Sequence, residues 1–212
     1  MNIFYSAASP LPACLHSPVE CVDQRRNMIG THRLTPVALD RFNRLLERVG
    51  SPDLVMDGDR LVTAARALRT SGALRGWPEC IRLRLARARA AVSMVRDPQW
   101  GASEEAIETV RHVAEYVAAD DDLIPDTLPT VGRLDDAIVV EAAWPVLSGE
   151  ITDYVDFRRL RRLALEDRSQ WSRFDRDAWR QAQAEEVALI RHQMAVRDTH
   201  YWSSGYSTFH VC

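Results

Sequence analysis

Apolar residues recur along this chain at the spacing of a helix, and no run of comparable length alternates as a strand would. The clearest case is Ile81, Leu85, Ala88, Val92 and Val95, which fall at i, i+4, i+7, i+11 and i+14 and so share one face. The punctuation between such runs is just as regular. Thr35 then Pro36 reads as an N-cap and a first-turn proline, opening a helix whose Val37, Phe42, Leu45, Leu46 and Val49 are apolar and which Gly50 closes. Pro52, Asp57 and Gly58 lead into a second helix near 59–71, ended by Gly72. Pro78 opens a third, and Asp97, Pro98 and Gly101 stop it. Ser103 caps a fourth, with Glu104 and Glu105 in a first turn where negative charge suits the helix dipole. Residues 134–147 are apolar on nearly every side, which predicts a central core helix that Pro145 should end or kink. Helices near 152–168 and 176–197 follow, the last with Trp179, Val187, Ile190 and Met194 on one side. The expectation is an all-α protein, a single domain of six to seven helices over residues 28–198.

Composition narrows the function classes. A chain of 212 residues can bury a real core, and no apolar run approaches the roughly 20 residues that cross a bilayer. The net charge of -3 gives no reason to expect a polyanion, so nucleic acid is not the expected partner. All 27 basic residues are arginine, which excludes a P-loop lysine, a Schiff-base lysine and a Ser-Lys dyad. Cys14, Cys21, Cys80 and Cys212 form no CxxC pair, and Cys14, His16, Cys21 and His32 match no common zinc spacing. Free thiols in a reducing cytoplasm are the plainer reading. Residues 1–27, with three prolines and no periodicity, read as a disordered leader or a misassigned start, and residues 199–212 as an aromatic tail.

One stretch breaks the helical pattern: "DDDLIPDTLPTVGRLDD", residues 120–136, with six aspartates, two prolines and a glycine. Asp122, Leu123, Ile124, Pro125, Asp126, Pro129, Gly132, Leu134, Asp135 and Asp136 together resemble the signature of the YkvA-like family, a domain of unknown function. The likeness extends over about 92–162 and implies a helix–corner–helix unit. The flanking segments carry Glu104, Glu105, Glu108, Arg111, His112 and Glu115, then "ITDYVDFRRLRR", and so look like the soluble branch of that family. The resemblance implies no catalytic residues.

Two readings of the aspartates stay open. Clustered carboxylates suit Mg²⁺ or Mn²⁺, and such a site can orient a phosphate or activate water. Asp121, Asp122, Asp126, Asp135 and Asp136 are then the candidate ligands of a divalent cation, with Glu141 beside them. Asp121, Asp122 and Asp126 even form DDxxxD, but Pro125 disfavours the continuous helix that such a motif needs. A variant sets Glu105 and Glu108 across from Asp135, Asp136 and Glu141. On the structural reading, Asp126 accepts amides in the turn before Pro129 and Gly132 supplies a positive φ. Asp135 and Asp136 favour the start of the core helix, while Ile124, Leu128, Val131 and Leu134 plug the joint. Asp120, Asp121 and Asp122 have no such role, being acidic where a helix C-terminus prefers positive charge. The leading expectation is a non-catalytic interaction or scaffold module in the cytoplasm, without a cofactor, working with a protein partner or as a homo-oligomer. The alternative is a metal-dependent hydrolase of a phosphorylated small molecule.

Overall fold

The structure, a computed structural model, describes residues 9–16, 26–70, 76–119, 122–166 and 174–203. Six α-helices make up most of the described chain: α1 Pro36–Arg48, α2 Gly58–Thr70, α3 Glu79–Val95, α4 Glu104–Val117, α5 Leu134–Glu166 and α6 Arg176–Ser203. Two-residue strands, β1 Met28–Ile29 and β2 His32–Arg33, pair antiparallel ahead of α1. The helix starts follow their caps: Thr35 accepts from the Ala38 amide and Ser103 from the Ala106 amide, each at 3.2 Å.

The chain divides into two compact units, Met1–Val155 and Asp156–Cys212. In the first, Leu134, Ala137, Ile138, Val139, Val140, Ala142, Ala143, Leu147 and Ile151 of α5 are all buried, and from 134 to 140 every side of the helix lies in the core. Each buried Leu, Ile or Val contributes about 1.5–3 kcal/mol of transfer free energy. Trp100 stacks edge-on against Tyr154 at 5.6 Å, whose hydroxyl donates to the Ser93 carbonyl at 3.2 Å. A short 3-10 turn, Ala13–Leu15, lies within the stretch read as a leader, yet its Leu15 and the preceding Leu11 are buried.

In the second unit, Phe157 meets Phe174 at 5.6 Å, and Asp156 accepts from the Trp179 indole at 3.0 Å and from Gln183 at 3.3 Å. Burial pushes the Asp156 carboxyl up, but these donors and the Arg159 guanidinium outweigh it and hold it below its ordinary value.

Pro145 does not end the fifth helix, the first of the two outcomes the sequence suggests; α5 continues to Glu166. Proline lacks one amide donor, and here it sits on an exposed position, where the lost bond is least costly. The next carbonyl along, that of Ala142, accepts the Ser51 hydroxyl at 2.8 Å.

Candidate functional site

The acidic signature folds into the corner between α4 and α5. Leu123, Ile124, Val131 and Leu134 are buried there, and Leu128 is partly so. The positive φ falls on Thr130 (72°), not on Gly132. Glycine at 132 answers a different need, close approach: a Cβ there would stand 2.7 Å from the Asp126 carbonyl carbon and 2.8 Å from the Leu128 oxygen.

Asp135 and Asp136, the first-turn acids of α5, are wholly buried. The Tyr116 hydroxyl donates to Asp135 Oδ2 at 2.8 Å, and the Ile124 amide donates to the same oxygen at 2.9 Å. Tyr116 in turn accepts the Leu123 amide at 3.2 Å. Asp136 Oδ2 takes the Arg133 guanidinium at 2.9 Å. The other guanidinium nitrogen pairs with Asp126, so Asp126 reaches a side chain and not the turn amides expected for it. Arg133 also donates to the Val117 carbonyl at 2.8 Å and lies over the Trp77 ring at 5.8 Å. The positive charge that the end of α4 lacks in its own sequence therefore arrives from sixteen residues downstream.

Burial raises both buried carboxyls to about 7. Asp122 adds to the shift at Asp135, and Asp135 and Asp122 add at Asp136; Tyr116 and the Ile124 amide, or Arg133, offset part of it. The Tyr116 hydroxyl is likewise pushed up, first by burial and then by Asp135. Oδ1 of Asp126, of Asp135 and of Asp136 is buried without a hydrogen-bond partner among the described residues.

Of the sequence candidates, Asp122, Asp126 and Asp136 thus gather electrostatically around Arg133, with Asp135 acting on Asp136 beside them. Pro125, Pro129 and Gly132 shape the corner that holds them. Asp120 and Asp121 lie outside the described residues. Glu141 belongs elsewhere: it accepts from Arg84 at 2.9 Å and Arg87 at 3.5 Å on α3. The layout with Glu105 and Glu108 does not form, because both are exposed whereas Asp135 and Asp136 are fully enclosed. Among the described residues, no group of three or more His, Cys, Asp or Glu side chains is placed to hold a metal ion.

Sequence reasoning missed Arg133, Tyr116 and Trp77. Arg133 had a signal, being the one base inside the acidic stretch; Tyr116 had none, since an aromatic on a helix reads as core. Beside the corner, a cleft of about 950 Å³ runs between β2, α1 and α4, bordered by Arg33, Arg41, Arg48, His112, Tyr116 and Asp122. No helix of the described residues is long and apolar enough to cross a membrane. Compared with protein-family models, curated proteins and solved structures, the chain gives no match.

Proposed function

We propose that this chain is a non-catalytic, cytoplasmic interaction module built on a YkvA-like helix–corner–helix unit, whose aspartate signature braces the fold. One observation carries the reading: Asp135 and Asp136 are wholly buried and already bonded to Tyr116, the Ile124 amide and Arg133. A catalytic carboxylate must reach its substrate; these two reach the chain itself. Apolar side chains meanwhile stand exposed on α6, where a partner can reach them.

A second reading rests on the partnerless Oδ1 atoms of Asp126, Asp135 and Asp136. On it, a divalent cation joins Asp121, Asp122, Asp126, Asp135 and Asp136, and the chain hydrolyses a phosphorylated small molecule. The two part on one experiment: melting of the purified chain with Mg²⁺, Mn²⁺ or Zn²⁺, alongside turnover of nucleoside triphosphates and sugar phosphates. The interaction reading expects an unmoved midpoint and no turnover above buffer. A cation present at about 100 times its dissociation constant adds about 2.7 kcal/mol to the native state. A rise of that size, with turnover lost in Asp136→Asn, would establish the hydrolase instead.

A further inference from the structure

We infer that α6 pairs with α6 of a second copy of this chain, parallel and in register. The inference rests on the interaction reading and names its partner. Within its own unit, among the described residues, α6 is docked only at its start: Trp179 is buried, and Gln183 still reaches Asp156. From Ala184 to Arg197 every residue is exposed. Five large apolar side chains stand in that length, Val187, Leu189, Ile190, Met194 and Val196, between 42% and 57% exposed. Isolated exposed apolar residues are ordinary, but five within three turns of one helix are the mark of a contact surface.

Spacing selects the seam. Val187, Ile190 and Met194 fall at i, i+3 and i+7, the a, d, a spacing of two helices packed knobs into holes. Leu189 and Val196 lie on the opposite side and make a shorter run. Charge then selects the occupant and its direction. With Val187 at position a, Glu186 is the g residue before it and Arg191 the e residue after Ile190. In a parallel pair each g side chain faces the e side chain five residues further along the other helix. Glu186 of each copy therefore meets Arg191 of the other, twice by symmetry. Five apart on one helix they cannot meet each other, and neither has an ion-pair partner among the described residues. Antiparallel registers are poorer: with Val187 against Ile190, Glu186 meets Gln193 and Arg191 meets Ala184. Shifting to set Ile190 against Met194 brings the two Arg191 side chains together. Gln183 and Arg197, at the d positions on either side, bound the seam to about 12 Å of helix, so the association is weak, with a dissociation constant on the order of 10 μM.

Sedimentation velocity of the full chain up to about 200 μM tests this. A reversible dimer is expected, weakened about tenfold by Glu186→Arg or by Arg191→Glu and restored in the double variant. Ile190→Asn weakens it about a hundredfold; an unchanged circular dichroism spectrum and melt would show that the fold is intact. Met194→Cys should cross-link to itself under mild oxidation. A chain that stays monomeric at the highest concentration overturns the pairing, as does a dimer indifferent to both charge reversals. So would a monomer that co-sediments with anionic vesicles and loses them in Ile190→Asn, since the occupant is then lipid. All of these leave the metal and turnover assays untouched, so failure of the pairing and failure of the interaction reading are separately visible.

Discussion

The corner at 122–136 and the exposed length of α6 invert each other. In the corner, two carboxylates are sealed inside, each held through one oxygen by the chain; on α6, aliphatic side chains stand exposed to water. The sequence marks both as unusual, but only placement tells which is finished. A buried charge with its partners in hand is structural, and its removal costs stability. An exposed apolar stripe costs the monomer little to alter and so is free to serve something else.

That contrast can be broken, and the largest effect is expected at its hub. Arg133→Met strands Asp136 and Asp126, which should cost about 3–5 kcal/mol and lower the melting midpoint by about 10 °C. If calorimetry finds it neutral, the guanidinium does not brace the corner. Next comes pH. Asp135 and Asp136 have folded values near 7 against an ordinary 3.8, so the native state keeps protons that the unfolded chain has released. Their contribution is fully present below about pH 4, falls as pH rises and is gone above about pH 7. The midpoint should therefore fall by several degrees between about pH 5 and pH 8, and Asp135→Asn with Asp136→Asn should flatten that slope. Asp156 pulls the opposite way, but its window lies below 3.8.

Gly132→Ala should cost about 2 kcal/mol, because its Cβ would meet backbone, which cannot swing aside as a side chain can. Tyr116→Phe removes a donor to Asp135 and the acceptor of the Leu123 amide, and chemical denaturation should show a loss of about 1–2 kcal/mol. The smallest effect is expected across the contrast: Val187→Ser should change the stability of the dilute monomer by less than about 0.5 kcal/mol. A large loss there would mean that the stripe is packed against its own chain after all.

Much of the fold was legible because its signals are local. Thr35, Pro36 and Ser103 mark helix starts through their own backbone chemistry, and the all-round apolar run of 134–147 could only be a core helix. Pro145 did not end its helix because a proline's effect depends on which side of the helix it occupies, and this one stands exposed. At the corner, Asp135 and Asp136 read as first-turn acids of the core helix or as metal ligands, since nothing local foretells that Tyr116 and Arg133 will close over them. The role of Gly132 was misjudged for the same reason: a close approach is a property of two segments, a positive φ of one. The α6 stripe was visible as spacing, but a face that looks made for the core is exposed, which only the fold could tell.

One guanidinium bonded to both the last turn of α4 and the first turn of α5 has a kinetic meaning as well. Helix ends ordinarily open first and alone, so their amides exchange with solvent long before those of the core. Here the Val117 end cannot loosen without releasing Arg133 from Asp136, nor can Ile124 leave Asp135 without disturbing Tyr116 on α4. Hydrogen exchange should therefore find the Leu123 and Ile124 amides, though outside any helix, among the slowest in the first unit. They should open only when that unit opens as a whole.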